Sequence, residues 1–152
     1  MSYVEFEFTD DNARECYGGK PPLYATEFSA AVDLRTTETV AFKAGSDGEL
    51  AQVGAGLKVG IPKGMAGLIL PRSSLFQRTA CTIPNSPGLI DSDYRGEVNI
   101  LLMKHGPGAV TIPKGTRLAQ FMLQYAPSMV WAEGSLQPTG RGEGGLGSTG
   151  HE

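Results

Sequence analysis

The chain has 152 residues, 40% hydrophobic and 19% charged, which suits one domain able to bury about two-thirds of the surface its unfolded form exposes. A formal net charge of −3 offers no general attraction to nucleic acid or to an anionic membrane, so neither is an expected partner. No apolar run reaches the ~18 residues of a membrane span, the acidic start lacks a secretion pattern, and two cysteines are too few for a disulfide framework. A cytoplasmic protein with free thiols at Cys16 and Cys81 is expected.

Taken in chain order, "YVEFEF" sets Val4, Phe6 and Phe8 against Glu5 and Glu7, the period of a half-buried strand. "DDNARECY" (Asp10–Tyr17) can form a short helix or turn. The β-prone runs "AAVDL", "ETVAF", "AQVGAGLKVGI" and "AGLILP" follow, then "SSLFQRTA" (Ser73–Ala80) as a second short helix or turn. "EVNILLM", "AVTI" and "LAQFMLQYA" complete the strands. Between them, 21 glycines and 10 prolines act as punctuation, far more than helix interiors tolerate. "IPKG" occurs at Ile61–Gly64 and Ile112–Gly115, where Pro presets φ and Gly supplies φ > 0, and each copy predicts a hairpin. Many short strands at this spacing predict an all-β sandwich, jelly roll or barrel over residues 1–130. From Trp131 the composition turns glycine-rich, so residues 131–152 read as a flexible tail.

Four stretches carry polar chemistry beside apolar runs. In "LPRSSLFQR", Arg72, Ser73 and Ser74 bring a cation and hydroxyls to a strand end, where a serine can also cap a helix. Gln120, between Ala119 and Phe121, is an amide in an apolar strand that must find partners if buried. "NSPGLIDSDYRGE" (Asn85–Glu97) predicts a hairpin with Asp91 at the end of a buried strand after "GLI", and a carboxylate there suits either the turn or a general base facing water. Which way Asp91 and Tyr94 face is left open, because a turn breaks strand alternation. In the tail, "GRGEGGLGSTG" places Arg141, Ser148 and Thr149 among glycines whose backbone N–H groups can converge on phosphate oxygens. It is no Walker A loop, since the Gly-Lys-Ser/Thr ending is missing. His105 and His151 have no metal-ligand spacing with each other or with the cysteines.

"AAVDL", "PRSSL", "NSPGLIDSDYRGE", "RLAQ" and "GRGEGGLGSTG" stand in the order of the five motifs of the trimeric dUTPase family, which the chain resembles from about Pro21 to Gly150. The resemblance implies a distorted β-barrel or jelly-roll protomer, a homotrimer, and a mobile C-terminal arm that closes over a neighbouring subunit's site. It implies hydrolysis of dUTP to dUMP and pyrophosphate, with Mg²⁺ carried on the triphosphate and no direct protein ligand. By the same resemblance Asp91 is the base. Asn85 and the backbone of Gly88, Leu89 and Ile90 read uracil, and Tyr94 lies against the deoxyribose. Arg72, Ser73, Ser74 and Gln120 hold inner phosphates, and Arg141, Gly147, Ser148 and Thr149 hold the outer ones. Asp33 and Arg117 are supporting, while Asp93, Arg95 and Glu97 serve the turn. Three departures stand out: Ala31 where glycine is usual, Phe28 where a small residue is common, and Leu146 in place of the arm's aromatic. An aliphatic side chain covers a base but forfeits stacking.

Two other readings compete. A dCTP deaminase of the same superfamily typically has Gly-Phe where Asp93-Tyr94 stands, and would release ammonia from dCTP. A nucleotide-gated interaction protein would use the arm as a switch and release no pyrophosphate.

Overall fold

The computed structural model describes residues 3–145. In chain order its elements are β1 (Glu5–Phe8), α1 (Asp11–Cys16), β2 (Val32–Arg35), β3 (Val40–Phe42), β4 (Leu50–Gly54), β5 (Leu57–Gly60) and β6 (Met65–Pro71). Then come α2 (Leu75–Thr79), β7 (Cys81–Thr82), β8 (Gly88–Ile90), β9 (Asn99–Lys104), β10 (Val110–Ile112) and β11 (Arg117–Tyr125). All described strand pairs are antiparallel, in four sheets: β1-β5, β3-β10, β2-β11-β6-β8 and β4-β9-β7. The all-β expectation holds, as a jelly-roll-like set of small sheets rather than one closed barrel.

The core forms where strand alternation points inward. In β9, Ile100, Leu102 and Lys104 are buried while their neighbours are only half-buried. Lys104 occupies a core position at 1% exposure because its ammonium donates to the carbonyls of His105 (2.7 Å) and Gly106 (2.6 Å). A buried cation with directed partners of this kind avoids most of the cost of leaving water. Leu118, Ala119 and Phe121 of β11 complete the core between β2 and β6.

Two expectations need correction. Both "IPKG" turns form as predicted, with Gly64 at φ +83° and Gly115 at φ +80°, and with matching bonds from Met65 N to Pro62 O and Thr116 N to Pro113 O. Neither makes a hairpin: the first hands the chain from β5, paired with β1, to β6, paired with β11 and β8. The second leads from β10, paired with β3, into β11. Residues 91–98 are likewise no hairpin, because β8 pairs with β6 while β9 pairs with β4 and β7. Turn chemistry is local, whereas the partner of a strand is chosen by packing far along the chain.

The N-terminal segment is built into the fold. Asp10 caps α1 by accepting from Ala13 N at 2.7 Å, and Ala13 is fully buried against Gly56. Gly56 is at φ +69°, and a Cβ there would lie 2.5 Å from Ala13 Cβ and from Thr37 Cγ2, so this crossing admits only glycine. Tyr17 then spans two strand ends: its hydroxyl donates to Ala55 O (3.0 Å) and accepts from Arg35 N (2.9 Å). Burial pushes the phenol up to about 12 from 10.0, opposed by the Arg35 backbone hydrogen bond and charge.

Because the folded-state pKa is raised, Tyr17 contributes full stability below pH 10 and loses it as pH rises through 12. The loss expected across that window is about 2–3 kcal/mol, at ~1.4 kcal/mol per unit. Urea melts at pH 9 to 12 will measure it, and Tyr17→Phe should flatten that stretch of the profile. The same variant should cost about 1–3 kcal/mol at neutral pH, since it leaves Ala55 O and Arg35 N without their partner.

Beyond β11 the chain is tied once more, by Ala126 N to Gly64 O at 2.9 Å. It then runs without described secondary structure, and Met129, Val130, Trp131 and Leu136 are exposed, Trp131 at 91%.

Candidate active site

One cluster forms on the sheet β2-β11-β6-β8. The central strand β11 sets Gln120 beside Asp33 of β2 and Leu70 of β6, and Ala119 beside Leu34 and Pro71. A register shift between Arg117 and Ala119 interrupts the β11–β2 ladder next to Asp33. Arg72 Nε lies 2.8 Å from Asp33 Oδ1, and Arg117 Nη1 donates to Asp33 Oδ2 at 3.0 Å. Asp33 Oδ1 is buried and takes no directed hydrogen bond from a described residue, so the Arg72 contact is a charge contact with poorly aimed N–H. Three of the five sequence stretches, "AAVDL", "PRSSL" and "RLAQ", therefore meet at one carboxylate.

The hydroxyls beside it are uncommitted. Ser74 stands at the N-cap of α2, yet its side chain makes no capping bond, against the capping alternative raised by the sequence. Ser73 is exposed, and neither it nor the half-buried Gln120 amide makes a side-chain hydrogen bond to a described residue. Arg72, Ser74, Arg78 and Arg117 line one small cleft of about 90 Å³.

A second cluster lies in "NSPGLIDSDYRGE". Asn85, Gly88, Leu89, Ile90, Asp91 and Tyr94 all line one cleft of about 220 Å³. β8 is the edge strand of its sheet, so one rank of its backbone donors and acceptors has no ladder partner among the described residues. Asp91 follows β8 directly and is exposed. The turn after it is closed by main chain, Tyr94 N to Asp91 O at 3.2 Å, and the Asp91 carboxylate accepts from no described residue. That distinguishes it from an acid spent on holding its own turn.

The residues around Asp91 hold Tyr94 in place. The Tyr94 hydroxyl donates to Glu97 O at 3.0 Å, and its ring lies over Gly96, where a Cβ would come within 2.6 Å of Tyr94 Cζ. Arg95 donates to the carbonyls of Ser92 and Tyr94, both at 2.8 Å. Glu97 accepts from Gly56 N at 2.8 Å and lies against Gly54. Arg95 and Glu97 serve the turn as expected, and Asp93 is an exposed residue of the same loop. Gly96, Arg78 and Tyr17 were missed. "RG" after a tyrosine reads as ordinary turn sequence, and Tyr17 meets Ala55 across a gap of 38 residues that no local pattern announces.

Among the described residues the two clusters share no lining residue. The arm joins neither: Arg141 Nε donates to Gly144 O at 2.9 Å within its own small turn. Leu146, Gly147, Ser148 and Thr149 lie outside the described residues, as does His151. No group of three or more His, Cys, Asp or Glu side chains able to hold a metal occurs among the described residues. No described helix is long and apolar enough to cross a membrane.

The family model described as dUTPase matches residues 19–150. A deoxyuridine 5'-triphosphate nucleotidohydrolase of Rickettsia typhi is 41% identical over 139 residues, covering 90% of this chain and 92% of that protein. The Rickettsia bellii protein of the same name is 39% identical over 135 residues, covering 87% and 88%. In fold, the chain is similar to a Staphylococcus bacteriophage 80alpha dUTPase solved with dUPNHPP, at a TM-score of 0.82 and 24% identity over 99% of this chain and 100% of that one. With four of the five ordered stretches gathered into two clusters and the family match spanning nearly the whole chain, this protein belongs to the dUTPase family.

Proposed function

We propose that the chain hydrolyses dUTP to dUMP and pyrophosphate, which lowers dUTP, keeps uracil out of DNA and supplies dUMP for dTTP synthesis. The observation that carries this reading is the Asp91 cleft, which gathers an amide (Asn85), an edge strand's backbone (Gly88, Leu89, Ile90), a seated tyrosine and an uncommitted carboxylate. The relatives' shared name, deoxyuridine 5'-triphosphate nucleotidohydrolase, supports the same chemistry.

In this mechanism Asn85 and the β8 backbone pair with the uracil edge. Cytosine would present a donor where the strand already offers one, and buried groups left unpaired are what reject it. Tyr94 walls off the 2′ position of the sugar. Asp91 accepts a proton from a water as that water's oxygen bonds to the α-phosphorus. The bond from the α-phosphorus to its bridging oxygen breaks, and pyrophosphate leaves. Arg72, Ser73, Ser74 and Gln120 bind the inner phosphate oxygens, and Arg141 with Gly147, Ser148 and Thr149 clamps the outer ones. Leu146 covers the base. Positioning and charge neutralisation of this kind are what phosphoanhydride hydrolysis requires of a protein.

The described residues do not fit a protein-caged metal, because Asp33 already meets two arginines and no acidic cluster stands nearby. Mg²⁺, which neutralises phosphate charge, belongs on the triphosphate with its own waters. A homotrimer is favoured by the separation of the two clefts and the arm within one chain, since a cyclic assembly can set one protomer's Asp91 cleft beside another's arginines. Residues 131–152 would then be a mobile arm closing over a neighbour, in a cytoplasmic enzyme.

A nucleotide panel tests the reading. Pyrophosphate release is expected from dUTP with Mg²⁺, and at most trace release from dCTP, dTTP or UTP. Ammonia from dCTP would instead favour the deaminase, and no release from any nucleotide would favour a purely regulatory role.

A further inference from the structure

Asp33 also borders a second cleft, whose lining cations are not among the phosphate-binding residues above. A cleft of about 230 Å³ is lined by Lys20, Arg35 and Arg117, with Asp33 as the one carboxylate among its lining residues. Asp33 is already met by Arg72 and Arg117. Arg35 Nη1 donates to Gly115 O at 2.8 Å, which satisfies a hydrogen bond and leaves its charge uncompensated. Lys20 is exposed and makes no salt bridge to a described residue. The neighbouring small cleft adds Arg72 and Arg78, and Arg117 belongs to both. A strip of five cations with one carboxylate thus crosses a chain whose net charge is −3.

Local structure directs Lys20 into this place. Gly18 (φ +64°) and Gly19 (φ +72°) turn the chain sharply out of α1, with Gly19 N donating to Arg14 O at 2.9 Å. Pro21 and Pro22 then stiffen the exit. Tyr17 bonds Arg35 N and so fixes the backbone of the strand from which Arg35 projects. Like charges held together raise one another's energy unless an anion joins them, so the arrangement favours a multiply charged anion.

We propose that the Lys20–Arg35–Arg117 cleft is a second anion subsite that takes a diphosphate group. On the reading that the enzyme cleaves dUTP, that group is either the departing pyrophosphate or the substrate's own terminal phosphates. Its place next to the Asp33 cluster makes it a staging point for the leaving group, outside the reacting atoms.

Lys20 is the residue to vary, since no described hydrogen bond depends on its side chain. Isothermal titration of the full-length protein with inorganic pyrophosphate alone, and separately with dUMP, is done for wild type, Lys20→Gln and Lys20→Glu. Lys20→Gln is expected to weaken pyrophosphate about three- to tenfold, and Lys20→Glu about tenfold or more, the scale of one exposed charge contact. Affinity for dUMP should be unchanged. If pyrophosphate affinity holds while the KM for dUTP rises with kcat constant, the subsite stands and belongs to the substrate's terminal phosphates. If neither pyrophosphate affinity nor KM moves by more than twofold, or wild type binds no pyrophosphate and its KM is insensitive to Lys20, the proposal is overturned. Wild-type turnover of dUTP, measured in parallel, reports on the catalytic reading separately.

Discussion

Replacing Asp91 by asparagine is expected to lower dUTP turnover by about 10²–10⁴-fold, the usual worth of a positioned general base. Asparagine keeps the shape of the side chain and the geometry of the cleft but cannot take a proton from water. Asp91 is exposed and its carboxylate holds nothing in place among the described residues, so the unfolding free energy should stay within about 0.5 kcal/mol of wild type. Pyrophosphate release and urea melts on the same preparation separate the two quantities. Turnover within tenfold of wild type would remove Asp91 from the mechanism. A large loss of stability would instead show it to be a structural acid of the turn.

The second large effect concerns sugar discrimination, and it is reached through a glycine. Tyr94 can wall off a 2′-hydroxyl only if its ring keeps its place over Gly96. A methyl group at Gly96 cannot coexist with the present ring, because Tyr94 Cζ would lie 2.6 Å from it. Gly96→Ala should therefore raise the kcat/KM of UTP relative to dUTP by about tenfold or more, with the loss of dUTP affinity following from the same displacement. Tyr94→Phe is the matched control. It keeps the wall, forfeits the bond to Glu97 O, and should change the ratio little. An unchanged UTP/dUTP ratio in Gly96→Ala would mean that the wall is made by another residue.

Strands and turns were legible from residue types because their causes are local. The β-prone run "EVNILLM" became β9, "DDNARECY" became α1, and both "IPKG" copies became the same turn. "AQVGAGLKVGI" was read as one run, whereas Gly56, with its left-handed backbone, divides β4 from β5. The strand expected at "GLI" ahead of Asp91 is β8, whereas the two-residue β7 was not foreseen, since so short a run carries no usable period. Pairing was the larger failure. A hairpin was expected at each "IPKG" and after Ile90, and none formed, because what fixes a strand's partner is the core it shares with residues far away. Phe6 makes the same point at side-chain scale. It was expected inward by alternation, and remains 36% exposed because its two-stranded sheet has little beneath it there.

The candidate site was legible as an ordered set of stretches rather than as chemistry. No single residue type singled out Asp91 over Asp93; the difference is that one stands at the end of an edge strand on a cleft and the other in the open loop. Arg72 and Arg117 were separated by the whole Asp91 segment, and their common partner Asp33 emerged only from the β2–β11–β6 register. The seat of Tyr94 depends on an absent Cβ, which composition cannot express.

The strand order has one more consequence. Among the described residues no two strands consecutive in sequence pair with each other: β1 waits for β5, β2 for β11, β3 for β10, β4 for β9 and β6 for β8 and β11. No sheet can therefore start from a local ribbon, and every ladder must close a long loop before its hydrogen bonds return any free energy. Chains of such high contact order fold in about milliseconds to seconds rather than microseconds. Until β11 threads between β2 and β6, the edges of both remain open to the wrong strand, including one from another copy. A nascent chain of this protein stays vulnerable to misassembly until its last core strand has been made.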